Sequence, residues 1–302
     1  MMSQPKICAV VVTYNRLEQL KQCIESLKKQ TRTLDEILII NNSSTDGTEE
    51  WLKKQNDLIF ITQVNIGGAG GFYTGIKTAY EKGFDWIWCM DDDGFPDLFA
   101  LENLDINSNY ELFVLNSLVV STREKEKLAF FLYDLDIKKP YKTLKELKGK
   151  KSINGGCFFN GTLINSKIVQ KIGLPIKELY IHGDEIEYSL RILQNGYSIR
   201  TIANSIFYHP PAEVKIYTLG KFYHAFYKVS ETKRYYRMRN LVLLYRKYHY
   251  YSTVRLFKVF ICDCTILLFS REIKLLFRNI KGFYDGIFYE SNSHDEIFRK
   301  KI

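Results

Sequence analysis

The sequence predicts an α/β protein built on a mostly parallel sheet, followed by a basic, helical C-terminal region. Three observations predict it. Apolar runs rich in β-branched residues recur at 7–12, 36–41, 58–62 and 86–90, continuous rather than alternating, as in strands buried on both faces. Amphipathic segments at 17–30, 48–55 and 71–82 separate these runs and suit crossover helices. Each run ends in a polar, turn-forming stretch, and sheets of this kind bind ligands beyond the carboxyl ends of their strands.

The chain has 302 residues, 46% hydrophobic and 25% charged, which suits a large globular domain with or without an appendage and argues against disorder. Six scattered cysteines include no CxxC pair, so neither a zinc site nor a disulfide framework is expected, and a reducing cytoplasm fits best. No secretory leader and no uninterrupted apolar stretch of spanning length is evident, so the chain is expected to be neither secreted nor membrane-spanning but cytoplasmic, associated peripherally with the inner face of the plasma membrane. The net charge of +9 is unevenly spread. Residues 210–302 hold 18 Lys or Arg against 8 Asp or Glu and 20 of the 44 aromatics, whereas residues 1–209 hold 25 against 26. Two regions are therefore expected, at 1–210 and 211–302.

The first run leads into Thr13-Tyr14-Asn15-Arg16 and the second into NNSSTDGT, residues 41–48. In the latter, Asp46 and Gly47 are expected to make a turn and Thr48 to cap a helix ahead of Glu49 and Glu50. The helix beginning after each strand offers N–H groups that could receive an anion or a polar ring. The third run leads into NIGGAGGF, residues 65–72. Its glycines fit neither a P-loop, because Gly70 leads to Gly75-Ile76-Lys77, nor a dinucleotide fingerprint, which belongs after the first strand. Either backbone closely approaches something there, or the loop is merely flexible.

The fourth run leads into Asp91-Asp92-Asp93. Three adjacent carboxylates repel one another and resist desolvation. An EF-hand is excluded, because Gly94 and Pro96 fall where a ligand and the turning glycine are needed. A solvated turn would not explain the triplet's place after the buried-looking Trp86, Ile87, Trp88 and Met90. A divalent cation that also binds a diphosphate does explain it.

These residues resemble the family-2 glycosyltransferases of the GT-A fold: VVVTYNR, IINNSSTDGT, and DDD in place of that family's Asp-x-Asp, with the likeness running over about residues 5–210. Within the family, NIGGAGGFYTG joined to WCMDDDGFP is most similar to the galactofuranosyltransferases that use UDP-galactofuranose. The resemblance implies that Thr13, Tyr14, Asn15, Arg16 and Asn42 line the uridine pocket, Asn42 standing where many relatives have aspartate. It implies that Asn65, Gly67, Gly68, Gly70 and Gly71 border the donor diphosphate and sugar, with Asp92 near the sugar or ribose. It further implies that Asp91 and Asp93 hold Mn2+ or Mg2+, with His209 as third protein ligand. In YIHGDEIEYSLR, relatives carry an acidic pair that includes the base, so Glu185 is expected as base and Asp184 as second candidate, with glutamate replacing the usual aspartate. Inverting transfer to a glycan, often lipid-linked, in bacterial surface polysaccharide synthesis follows from the same resemblance. Transfer of rhamnose or another hexose is the same-class alternative, and a non-catalytic lipid- or nucleic-acid-binding protein the rival of another class.

The stretch at 180–202 also reads as a helix followed by a strand, with Glu187 placed to pair with Arg191. In the tail, 232–247 and 253–289 read as helices. Arg271, Lys274, Arg278 and Lys281 fall on one stripe, with Ile273, Leu276, Phe277, Ile280 and Phe283 opposite. Such a face can pack on the catalytic domain or lie on an anionic membrane, which is preferred here; nucleic acid is the least favoured partner.

Overall fold

The computed structural model describes residues 4–104, 113–219, 222–250 and 252–288. All four expected strands form, as β1 (Ile7–Thr13), β2 (Glu36–Asn41), β3 (Ile59–Thr62) and β4 (Trp86–Asp91). They pair in parallel in the order β3-β2-β1-β4. Between them run α1 (Leu17–Lys28), α2 (Thr48–Leu52) and α3 (Gly67–Glu81). Side chains of β1 alternate between two cores. Ile7, Ala9 and Val11 pack with Leu20, Ile24 and Leu27 of α1, while Cys8, Val10 and Val12 pack with Phe72 and Ile76 of α3. A strand covered on both faces has no solvent side, hence its unbroken apolar run. β3 departs from the expectation of burial: it lies at the sheet edge and Ile59 is exposed.

Beyond β4 come β5 (Phe95–Pro96), α4 (Ala100–Asn103), β6 (Phe113–Ser121), β7 (Lys127–Asp134), β8 (Lys139–Thr143), β9 (Ser152–Asn154), β10 (Asn160–Asn165), α5 (Ser166–Ile172), α6 (Asp184–Gln194) and β11 (Ser198–His209). β10 lies antiparallel between β4 and β6, and β11 is parallel to β6. Two reversals restore the direction of β4. The C-terminal end of β11, with His209, therefore reaches the same sheet edge as Asp91.

Two expectations about strand ends are corrected. The glycines are not a loop, flexible or otherwise, because α3 begins at Gly67. A Cβ on Gly71 would stand 2.4 Å from Val12 Cγ1 and one on Gly75 2.2 Å from Val10 Cγ1, so these glycines let α3 press against β1. At each helix start, part of the free N–H set is taken up within the protein. Asp46 Oδ2 accepts from Leu17 N (2.9 Å) at the head of α1, and its Oδ1 accepts from Thr48 N (3.2 Å) at the head of α2. Asp46 thus does the capping assigned to Thr48, which is the first helical residue. At α3, the Tyr180 carbonyl accepts from Ala69 N (3.1 Å).

The C-terminal region opens with an unpredicted hairpin, β12 (Val214–Leu219) and β13 (Phe222–Tyr227). Then follow α7 (Glu231–Tyr248), α8 (Thr253–Phe269) and α9 (Ile273–Phe288), so the stretch read as one helix breaks in two around Arg271 (φ +58°), and residue 289 lies outside the described residues. α7 is tied to the catalytic region. Arg239 donates to Glu178 O (2.6 Å) and Asn240 Nδ2 to Leu179 O (2.9 Å), while the buried Glu187 pairs with Arg191 (2.8 Å) and accepts from Tyr248 Oη. α9 turns a different face inward than expected. Asn279, Gly282 and Gly286 are buried, with a Gly282 Cβ only 2.4 Å from Tyr235 O, whereas Ile273, Phe277 and Ile280 are exposed. Close approach to α7 decides the inner face. Small residues permit that approach and large apolar ones do not. Among the described residues no helix is long and apolar enough to cross a membrane.

Candidate active site

Thr13 ends β1 and Asp91 ends β4, with Asp91 in register with Val12, so the carboxylate triplet and the TYNR turn emerge side by side. Asp92 turns inward and is buried. It accepts from Thr13 Oγ1 (2.7 Å), Tyr14 N (3.3 Å) and Arg16 Nη1 (2.9 Å). Burial raises its carboxyl above the ordinary value despite these donors. Arg16 also reaches Asp93 Oδ2 (2.7 Å), so this guanidinium lies on the acidic triplet. Asn15 (φ +53°) accepts from Thr45 N (2.7 Å) and clasps the TYNR turn to the loop after β2. Asn42 is buried, with its oxygen accepting from Gln63 Nε2 (2.8 Å) and its Nδ2 donating to Gly67 O (3.2 Å), which leaves one N–H for a ligand. Asn65 Oδ1 accepts from Gly67 N (2.9 Å) and so shapes the start of α3. Of the glycines, Gly67 (φ +76°) leaves room for the Tyr180 carbonyl and Gly70 abuts Ile66. A Cβ on Gly68 would meet nothing.

His209 stands against Asp93, Nε2 to Oδ1 at 2.9 Å. Its Nδ1 contacts Pro210 O at 2.6 Å, and since a carbonyl only accepts, Nδ1 carries hydrogen and Nε2 is the atom offered to the site. Burial works against the imidazolium, yet the Asp93 bond and charge raise the histidine above its ordinary value. Burial likewise opposes ionisation of Asp93, but His209 and then Arg16 hold it below the usual carboxylate range. Asp91 makes no side-chain hydrogen bond among the described residues, and the His209 and Arg16 charges only partly offset what opposes its ionisation. Burial, followed by the charges of Asp93 and Asp92, pushes its carboxyl up to about 7.

Asp93 and His209 suit Mg2+ or Mn2+: one hard oxygen and one imidazole nitrogen come together, and the pair already attracts a cationic guanidinium. No third His, Cys, Asp or Glu closes round them among the described residues. That matches the usual way these ions bind, with few protein ligands and the rest from substrate phosphate and water.

A group whose pKa is raised by folding stabilises the protein below its ordinary pKa, and this contribution is lost as pH rises through the folded value. Asp91 and His209 both have that sign, whereas Asp93, lowered by folding, contributes above its ordinary value and changes only in stronger acid. Metal-free protein in EDTA is therefore expected to lose thermal stability from pH 5 to pH 8. Added Mn2+ should restore more of it at pH 8 than at pH 5, as differential scanning calorimetry would show.

Facing the triplet, Asp184 and Glu185 open α6 behind Gly183 (φ +93°). Glu185 Oε2 accepts from Gly183 N (2.9 Å) and is half-buried. Asp184 is buried; burial, then the Glu185 charge and hydrogen bond, raises it well above the ordinary value, with Asp91 contributing in the same direction. Of the two acids, Asp184 is thus the one whose ionisation the surroundings oppose. Sequence reasoning missed the wall behind this pair. Tyr180 (φ +64°) and His182 (φ +61°) are held in left-handed conformations, with Asn240 Nδ2 against the carbonyls of Leu179, Ile181 and His182 and Tyr236 stacked on Tyr180 at 4.5 Å.

The mixed sheet flanked by helices is that of the GT-A fold. The glycosyl transferase family 2 model matches residues 8–171, more than half of the chain, and the protein belongs to that family. Galactofuranosyltransferase GlfT1 of Mycolicibacterium smegmatis is 30% identical over 246 residues, covering 78% of this chain and 81% of the relative. The dTDP-rhamnosyl transferase RfbF of Shigella flexneri is 27% identical over 254 residues, covering 80% and 81%. Among solved structures, GalNAc-T7 with UDP, GalNAc and Mn2+ superposes with a TM-score of 0.58 at 16% identity, over 82% of this chain and 50% of that one. Mannosyltransferase PcManGT from Pyrobaculum calidifontis, with GDP-Man and Mn2+, gives 0.52 at 13%, over 96% and 77%.

Proposed function

We propose that the protein is a divalent-metal-dependent, inverting galactofuranosyltransferase that transfers galactofuranose from UDP-galactofuranose to a hydroxyl of a lipid-linked glycan in bacterial surface polysaccharide synthesis. The observation that carries this reading is the Asp93–His209 pair at one sheet edge, faced by Asp184 and Glu185 at the head of α6. Similarity to the mycobacterial galactofuranosyltransferases supports the choice of sugar.

In this reading Asp93 and His209 would hold Mn2+ or Mg2+, with Asp91, which the structure does not bring against them, as the candidate third ligand, and the ion would supply charge to the departing diphosphate. Thr13, Tyr14, Asn15, Arg16 and Asn42 take the uridine and Asn65 with Gly68 borders the donor, whereas the buried Asp92, Gly67, Gly70 and Gly71 face protein and shape the site. Gly68, whose Cα faces open space, is the glycine best placed to let a donor approach. Glu185 removes the acceptor hydroxyl's proton as the oxygen attacks the anomeric carbon opposite the leaving group, which inverts that centre. Burial of Asp184 beside it favours the neutral form of that carboxyl, which disfavours a second negative charge there.

The exposed apolar residues Val254, Phe257, Ile261 and Phe269 of α8 and Ile273, Phe277, Ile280 and Phe288 of α9, flanked by the exposed Arg271, Lys274, Arg278 and Lys281, support attachment to an anionic membrane face where such an acceptor resides. Rhamnosyl transfer is the second reading, favoured by the similarity to RfbF. Offering UDP-galactofuranose and dTDP-rhamnose separately with Mn2+, scored by nucleotide release, tests both. Turnover of the first donor alone is expected; turnover of dTDP-rhamnose alone would replace the proposed donor.

A further inference from the structure

The β7–β8 hairpin leaves the main sheet with one apolar face uncovered. β7 pairs with β6 at Leu128 and Val120 and beyond that with β8, which among the described residues pairs with β7 alone. Leu132 turns inward and packs with Tyr141, Leu147 and Ile153, whereas Phe131, Tyr133 and Ile137 are 59%, 48% and 55% exposed. Strand alternation requires an outer face, but not one made of two aromatic rings with an isoleucine at the turn. The charges beside this face are unbalanced. Residues 123–151 carry 10 Lys or Arg against 5 Asp or Glu, and three of those acids are engaged within the protein. Asp134 is buried against Tyr141 Oη (3.3 Å), Asp136 accepts from Asn154 Nδ2 (2.7 Å), and Glu146 accepts from Lys142 N (2.8 Å) and Thr143 N (2.9 Å). Lys138, Lys139 and Lys142 are exposed and make no side-chain hydrogen bond or ion pair among the described residues. The Lys142 ammonium lies over the Phe131 ring at 5.1 Å, so cation and apolar surface form one patch.

Lysines alone would serve only to keep a sheet edge from pairing with another chain. Exposed aromatic and aliphatic side chains among unpaired ammonium groups match instead a surface that is anionic outside and apolar beneath. We propose that the outer face of this hairpin docks on an anionic lipid surface, with Phe131, Tyr133 and Ile137 entering below the headgroups and Lys138, Lys139 and Lys142 meeting the lipid phosphates. The site lies within the stretch matched by the family model, apart from α8 and α9, and depends neither on their attachment nor on the identity of the donor. Its position has a consequence for the active site. Phe130, the residue before Phe131, sets its ring against the His209 imidazole at 4.9 Å between centroids. A hairpin held at a lipid surface therefore fixes how far the Asp93–His209 pair stands from that surface, and with it the depth at which a membrane-borne acceptor is met.

The test uses the full chain carrying Ile137→Trp, whose added indole reports on the turn, with vesicles of phosphatidylglycerol or of phosphatidylcholine. The unsubstituted protein gives the background of its own three tryptophans. With phosphatidylglycerol the added emission is expected to move to shorter wavelength and to be quenched when the acyl chains are brominated; phosphatidylcholine should do neither. In the otherwise unsubstituted chain, Lys138→Gln with Lys139→Gln should weaken phosphatidylglycerol binding about 30-fold, at about 1 kcal/mol for each lysine. The unfolding temperature should not move, because neither side chain has a described hydrogen bond or ion pair to lose. An unquenched indole, equal quenching by both lipids, or equal binding by the double variant overturns the proposal; if vesicles still bind, α8 and α9 are the attachment. A wavelength shift that follows protein concentration without lipid also overturns it and gives the face to a second copy of the chain. Donor turnover in solution reads the functional proposal separately and is expected to survive any of these failures.

Discussion

Asp93→Asn is expected to lower kcat by about 10⁴-fold, equivalent to the several kcal/mol that a metal ion contributes to transition-state charge. Asp93 is the residue on which both the His209 and Arg16 contacts converge. Asparagine keeps the size and one acceptor oxygen but cannot carry the charge that draws a cation. The fold should survive. Arg16 retains its 2.9 Å bond to Asp92, Asp92 retains Thr13, and His209 retains Pro210 O, so each neighbour keeps a partner. Calorimetric titration of Mn2+ in the presence of UDP should lose its heat while the unfolding temperature moves by only a few degrees. Activity within tenfold of the parent, with Mn2+ binding intact, would remove the metal from the proposed chemistry.

The parts of this site visible in the sequence were those governed by the strand-to-ligand rule. The triplet and His209 both follow apolar runs, and a parallel relation between β4 and β11 is enough to bring Asp93 and His209 together. Glu187 and Arg191 were legible because i,i+4 spacing is local. What escaped depends on contacts distant in sequence. Glycine permits both a loop and a close helix crossing, and only the position of Val10 and Val12 beneath Gly75 and Gly71 decides between them. Asp46 caps two helices at once because α1 and α2 start side by side, which a local turn reading cannot anticipate. α9 shows the same limit. Its most apolar stripe is exposed because the inner face is chosen by how closely Gly282 and Gly286 can approach α7. The wall behind Asp184 and Glu185 was invisible for a similar reason: Asn240 stabilises the strained Tyr180–Gly183 segment from some sixty residues away.

Separating the two acids at the head of α6 is the sharper test of the chemistry. Glu185→Gln is expected to lower kcat about 10³-fold, within the range general-base catalysis contributes, while the donor KM stays within about twofold. Glutamine preserves the acceptor for Gly183 N, so the strained turn and the helix start should remain as they are. Asp184→Asn is expected to cost less than about tenfold, because burial and the Glu185 charge favour the neutral form of this carboxyl, which asparagine resembles. The roles follow from exposure. A base must shed the proton it takes after each turnover, and Glu185 is half-buried where Asp184 is enclosed. Steady-state kinetics on both variants decide the matter: if Asp184→Asn abolishes transfer while Glu185→Gln keeps it, the proton goes to Asp184, and Glu185 acts by raising its neighbour's basicity.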